Sequence, residues 1–158
     1  MSEFGFIGLG RMGQSMAINM SKKGFGLAVF DIREDAMKPF TQFNNCRQAM
    51  SANDTIGSGA NIITVLPGPA EVESVVLAKG GLLDEMKEGS VLMDLSTVLP
   101  ETTDKLAKAA KKRGCHFVDA PIGRLAQHAD SGESLFMVGA EDEAFEIVQP
   151  ALEAMGTT

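Results

Sequence analysis

The sequence predicts a doubly wound α/β domain with a mostly parallel sheet, and three observations carry that prediction. Apolar runs alternate with helical patterns almost from end to end. The runs are near-continuous rather than alternating, as expected for strands covered on both faces. At 158 residues, 44% hydrophobic and 22% charged, the chain suffices for one domain with a real core.

FGFIGLG at 4–10 reads as a buried strand with glycines at its exit. The helix after it places Met12, Met16 and Met20 at i, i+4 and i+8, with Gly24 as its stop. LAVFD at 27–31 is a second strand, and REDAMKPFTQF a second helix. A helix in SANDTIGSGA at 51–60 is weakened by Gly57 and Gly59. NIITVLP, VLMDLS and CHFVDAP are further strands, joined by helices beginning near Glu71 and Glu101. SLFMVG and a helix over 142–155 close the chain. That helix carries Phe145, Val148, Leu152 and Met155 on one face, and Pro150 is expected to start a second segment. APIGRLAQHADSG at 120–132 joins two strand-like runs and reads as neither a tight hairpin turn nor an obvious helix.

A net charge of −7 argues against nucleic acid or an anionic membrane as partner, since both require a basic face. No apolar run approaches the roughly 18 residues of a spanning helix. The N-terminus enters a strand pattern with no basic leader, so no secretion signal is expected. Cys46 and Cys115 are too few for a disulfide framework and lack metal-ligand spacing. A cytoplasmic protein with reduced thiols and no metal is the expectation.

GLGRMG at 8–13 is G-x-G-x-x-G, a weak signal alone. Here it follows a predicted strand and opens a predicted helix. Asp31 ends the next strand 23 positions after Gly8. That context makes it a Rossmann-type dinucleotide fingerprint. Gly8 permits the tight turn, Gly10 lets backbone approach a pyrophosphate, and Gly13 allows close helix–strand packing. Leu9, Arg11 and Met12 complete the turn, whose N–H groups and helix dipole receive phosphates. Asp31 can accept from both ribose hydroxyls and would repel a 2′-phosphate, favouring NAD over NADP. Ile32 and Arg33 follow it at the same edge. Arg33 complicates the preference, since an arginine there can stack on adenine or neutralise a 2′-phosphate. Binding of S-adenosylmethionine is disfavoured: Phe6 and Ile7 stand where methyltransferases usually place an acidic residue.

Four segments, GFIGLGRMG, TVLPGPAEV, MDLSTVLPETT and VDAPIGRLAQHADSGESLFMVG, together resemble the β-hydroxyacid dehydrogenases, which include 3-hydroxyisobutyrate dehydrogenase. The resemblance covers the whole chain. It implies that Leu66 and Pro67 contact the middle of the cofactor, with Glu71 at a further position. It also implies that Ser96 and Thr97 border the nicotinamide ribose. The alternative is that Ser96 and Thr97 merely cap the helix at Pro100.

The substrate loop of that family usually reads D-A-P-V-S-G-G. Here Gly123, Arg124 and Leu125 occupy the Ser-Gly-Gly positions, and His128 stands where a glycine is usual. A neutral cradle is thus exchanged for a planar fork of cationic donors, suited to an oxygen-rich anion. The Gly-Arg pair is similar to that of sulfolactaldehyde reductases, but the Thr-Ser expected beside it is Leu125-Ala126. Otherwise Arg124 would pair with Asp119, Asp130 or Glu133 as a structural bridge. His128 is expected to pack or hydrogen-bond within the loop rather than move protons.

In this family a lysine in a K-x-x-x-N helix beyond the nucleotide domain protonates the carbonyl, in a helical domain that usually also forms the dimer. No lysine here has a fitting position. The expectation is therefore that residues 1–158 form the cofactor-binding half of an NAD-dependent semialdehyde reductase or 3-hydroxyacid dehydrogenase. Its helical domain would lie outside this chain, no catalytic residue within it, and the fragment alone would be inactive. The parent enzyme would be a homo-oligomer acting on a small anionic semialdehyde or hydroxy acid. The alternatives are an imine reductase-like enzyme, for which an anion-binding arginine is pointless, and a non-catalytic NAD-binding module.

Overall fold

Phe4, Phe6 and Ile7 leave the first strand no face that can meet water, so it must lie inside a sheet covered on both sides. In the computed structural model, which describes residues 3–57 and 61–158, that strand is β1 (Glu3–Ile7). After it come α1 (Arg11–Lys22), β2 (Gly26–Phe30), α2 (Glu34–Met37) and β3 (Cys46–Gln48). The middle of the chain forms β4 (Asn61–Thr64), α3 (Pro69–Leu77), α4 (Leu82–Glu85), β5 (Val91–Asp94), α5 (Pro100–Lys112) and β6 (His116–Asp119). The last stretch forms β7 (Ile122–Gly123), α6 (Ala126–Ser131), β8 (Ser134–Phe136), α7 (Asp142–Met155) and β9 (Gly156–Thr157).

Six strands make a parallel sheet in the order β3-β2-β1-β4-β5-β6. The fold class is the doubly wound α/β, Rossmann-like one that the sequence predicts. Order reverses between β1 and β4, which pair with Ile7 opposite Thr64. Their carboxyl ends therefore open a crevice at the switch point, where such sheets bind ligands.

Strand periodicity sorts the core into two layers. Phe6, Ile63 and Met93 turn to one face, where they meet Met16 and Met20 of α1 and Leu152 and Met155 of α7. Their neighbours Ile7, Ile62 and Leu92 turn to the other, against Val72 and Val76 of α3 and Leu106 of α5. The methionine stripe of α1 is thus core at Met16 and Met20, while Met12 is only partly buried. Helix α5 begins on Pro100 with Glu101 in its first turn and ends on Lys111 and Lys112, complementing its dipole at both ends.

Several elements differ from the sequence reading. The REDAMKPFTQF helix is split, with α2 giving way to a 3-10 turn at Lys38–Gln42. Pro39 has no N–H with which to continue α-helical bonding. The 51–60 region holds a 3-10 turn at Asn53–Ile56, and residues 58–60 of the expected helix lie outside the described residues. Helix α7 runs unbroken through Pro150 instead of restarting there. Pro150 is exposed, so the carbonyl it leaves unbonded can be hydrated. The 120–132 stretch does contain a helix, α6, stopped by Gly132 in the left-handed region at φ 72°. The SLFMVG run meets the main sheet only at its last residue, where Gly139 and Asp119 of β6 form an antiparallel bridge. Its β8 segment lies between β7, antiparallel, and β9, parallel, in a separate three-stranded sheet.

Candidate cofactor site

The chain must turn sharply where β1 ends, and the three glycines of the turn do three different things. Gly8 has φ 98°, and a Cβ there would sit 2.0 Å from the Val65 carbonyl oxygen. Gly13 lies against the turn itself, since its Cβ would sit 2.0 Å from the Gly8 oxygen. Gly10 has no atom within 4 Å of where a Cβ would be, so backbone stands open there. Gly10 also caps α1 without any side-chain bond. The first N–H groups of α1 therefore carry the unspent donors and positive dipole end that suit an anion.

Asp31 follows β2 and reaches back to this turn. One carboxylate oxygen accepts the Leu9 N–H at 2.8 Å, and the other accepts the Arg33 N–H at 2.8 Å. The Arg33 guanidinium lies 3.6 Å from the same carboxylate. Ile32, between them, is 90% exposed.

A cleft of about 700 Å³ opens at the switch point and gathers most of the expected cofactor residues. Gly8, Gly10, Arg11, Met12 and Gly13 form one wall, with Asp31, Ile32 and Arg33 at one end and Leu66, Pro67 and Glu71 opposite. Leu9 is buried and contributes its backbone to the turn. Sequence reasoning missed Val65, Ala70, Ser74 and Val75, which also line the cleft. Ser74 and Val75 lie three and four positions after Glu71, a helical spacing that puts them on its face of α3.

Ser96, Thr97 and the 123–125 segment do not line this cleft. Ser96 is buried, and its hydroxyl accepts the Leu66 N–H at 2.9 Å, tying the loop after β5 to the loop after β4. Neither Ser96 nor Thr97 caps α5, whose N-cap residue is Leu99 with no side-chain bond. Beside Ser96, Asp94 is 1% exposed. One of its oxygens accepts from the Thr64 hydroxyl at 2.8 Å and the Ser96 N–H at 3.1 Å. The other is buried without a partner. Burial raises the Asp94 pKa, and burial followed by the nearby Asp94 raises that of Asp119. The two face each other across β5 and β6.

Arg124 is exposed, and its backbone sits in the left-handed region at φ 71°. One guanidinium nitrogen donates to the Glu133 carbonyl at 3.0 Å. No carboxylate pairs with it among the described residues, so the alternative, a structural bridge to the Asp119, Asp130 or Glu133 side chain, is not made. His128 Nδ1 accepts the Leu125 N–H at 3.2 Å, a bond that shapes the start of α6.

The site is a glycine turn at a helix start beside a carboxylate, and the chain matches a family model described as the NAD binding domain of 6-phosphogluconate dehydrogenase over residues 3–158. The chain belongs to that family. It is therefore an NAD(P)-binding domain. Among curated relatives, 2-(hydroxymethyl)glutarate dehydrogenase of Eubacterium barkeri is 39% identical over 155 residues, covering 98% of this chain and 51% of the relative. NAD-dependent L-serine dehydrogenase of Pseudomonas aeruginosa is 36% identical over 156 residues, covering 99% and 52%. The crystal structure of 3-hydroxyisobutyrate dehydrogenase from Salmonella typhimurium matches with a TM-score of 0.91 at 26% identity, covering 99% of this chain and 54% of that one. The chain thus spans about half the length of the curated relatives it matches. Among the described residues, no helix is long and apolar enough to cross a membrane. No group of three or more His, Cys, Asp or Glu there could hold a metal ion.

Proposed function

We propose that this chain is the NAD-binding half of a dehydrogenase that interconverts a small anionic hydroxy acid and its semialdehyde. The observation that carries the cofactor preference is Asp31, whose carboxylate stands at the end of the cleft that the Gly8 turn opens. A carboxylate there accepts from ribose hydroxyls and repels a 2′-phosphate. The N-terminal turn of α1 would receive the pyrophosphate, with Gly10 leaving room for it. Leu66, Pro67 and Glu71 would line the path toward the nicotinamide, and Ser96 and Thr97 would border its ribose. When bound, the nicotinamide supplies hydride exchange with the substrate carbonyl carbon. The residues of this chain orient that ring and hold the substrate's acid group.

The relatives' names support the substrate class, since each denotes a small hydroxy acid dehydrogenase. Arg124 supports an anion rich in oxygens, with Gly123 and Leu125 as its backbone setting. Left-handed backbone at a non-glycine residue costs roughly 1–2 kcal/mol and is characteristic of functional positions. Arg124 bears that cost while leaving most of its donors uncommitted among the described residues. A sulfonate or carboxylate beside the reacting carbonyl is the fitting partner. The general acid and the remaining pocket wall would come from a helical domain outside residues 1–158, which would also form the oligomer.

Titration with NADH and NADPH tests the reading. The chain has no Trp or Tyr, so nicotinamide fluorescence is read without those residues contributing. NADH should bind more tightly, and the reverse order would remove the role assigned to Asp31.

A further inference from the structure

Helix α6 is only six residues long, too short to persist in water without docking. It docks on α1, the cofactor helix, through a polar stripe. Arg11, Ser15 and Asn19 recur at i, i+4 and i+8 along α1, and all three bond to α6. The Asn19 side-chain amide donates to the Ala129 carbonyl at 2.8 Å. Asp130 takes both Arg11 terminal nitrogens, at 2.6 and 2.5 Å, and the Ser15 hydroxyl at 2.5 Å. Hydrogen bonds from Arg11 and then Ser15 hold the Asp130 carboxyl well below the usual carboxylate range.

Arg11 is also the first residue of α1 and lines the cleft of the Gly8 turn. It thus stands between two anions, the Asp130 carboxylate and any phosphate received at that turn. We propose that Arg11, Ser15 and Asp130 form a latch that couples the dinucleotide site to the segment carrying Arg124. Asp130 fastens α6 to α1 and, in doing so, withholds part of the Arg11 charge from the cofactor. A diphosphate carries its negative charge to within reach of the same guanidinium and competes for its donors. By linkage, whatever the dinucleotide draws from the latch, the latch draws equally from dinucleotide affinity. Asp130 is then a positioning residue acting through Arg11. The inference rests on the cleft being the dinucleotide site.

The test combines amide hydrogen exchange over residues 126–132 with NADH titration, on the 158-residue chain and its Asp130→Asn, Arg11→Gln and double variants. Asp130→Asn should speed exchange of those amides several-fold while the buried amides of α1 stay protected. It should also tighten NADH binding about three- to tenfold at low salt, with the gain shrinking as salt rises. Arg11→Gln should speed the same amides but weaken NADH. The double variant should exchange no faster than either single variant and bind NADH as Arg11→Gln does. Asp130→Glu should restore part of the protection. Unchanged exchange in Asp130→Asn, or NADH affinity that stays the same or falls, overturns the latch. A chain that binds neither NADH nor NADPH overturns the reading of the cleft and the coupling with it, so the two failures are told apart.

Discussion

Asp31 closes the turn that begins at Gly8 by accepting the Leu9 N–H at 2.8 Å, 22 residues back in the chain. Its side chain is only 11% exposed, so the bond is shielded from water. One carboxylate therefore shapes the loop and presents charge to the cleft. Asp31→Asn keeps the shape but has one acceptor oxygen where the Leu9 and Arg33 N–H groups each need one. Urea melts should show a loss of about 2 kcal/mol, the range of a hydrogen bond to a charged group. Titration should show weaker NADH binding and a narrowed gap to NADPH. A retained preference would mean that another residue discriminates the cofactors.

Gly10 and Gly13 should separate binding from folding. At Gly13 an added methyl meets the Gly8 oxygen at 2.0 Å, so Gly13→Ala must push apart turn and helix. A stability loss of about 1–3 kcal/mol is expected, as for other overpacked sites. Gly10→Ala meets nothing within 4 Å and should fold normally. It should nevertheless bind NADH at least about tenfold more weakly, because the methyl occupies the approach to the backbone. Thermal melts and NADH titration of the two variants read both effects. Normal NADH affinity in Gly10→Ala would place the phosphates elsewhere.

Arg124→Gly should stabilise the fold while removing the anion partner. Relief of left-handed backbone gains roughly 1–2 kcal/mol, and the freer unfolded glycine returns roughly 0.5–1. The net is a gain of about 0–1.5 kcal/mol in urea melts. Binding of a small sulfonate or carboxylate to the NADH complex, followed by calorimetry, should be lost. A destabilised Arg124→Gly protein would mean that the Glu133 contact matters more than the backbone.

Asp94 gives stability a pH dependence opposite to that of a salt-bridged carboxylate. Burial raises its pKa above the ordinary 3.8, so the folded state holds a proton that the unfolded state releases. Stability from this group is present below pH 3.8 and declines as pH rises toward the folded pKa. Asp94→Asn keeps an oxygen that accepts from Thr64 and Ser96, replaces the unpartnered oxygen with an NH2, and leaves no ionisable group. It should be more stable than the parent at pH 7, with the advantage vanishing near pH 3.8. Denaturant melts across that range decide it. A difference between the two proteins that stays constant with pH would show that Asp94 titrates alike in the folded and unfolded states.

The main sheet was legible because its strands are continuous apolar runs, and the turn because three glycines and Asp31 stand at fixed spacing. What escaped was local sequence overruled by distant partners. Cys46–Gln48 is short and mostly exposed, with no apolar pattern, and becomes a strand only because β2 offers an open edge. The β8 segment has the composition of a main-sheet strand, yet it pairs with β7 and β9. The bond between Asp130 and Arg11 joins residues 119 positions apart, and no spacing rule reaches across that distance. The resemblance implies that Ser96 borders the nicotinamide ribose, and no spacing in the sequence shows that its buried hydroxyl accepts the Leu66 N–H.

That bond bears on how fast a ligand can be taken up. The Ser96–Leu66 bond and the Asp31–Leu9 bond fix loops from four different strands before any dinucleotide arrives. Loops already fixed have little entropy left to lose on association. Capture should then be governed by collision and charge, not by rearrangement, with a rate constant that responds to solvent viscosity and ionic strength.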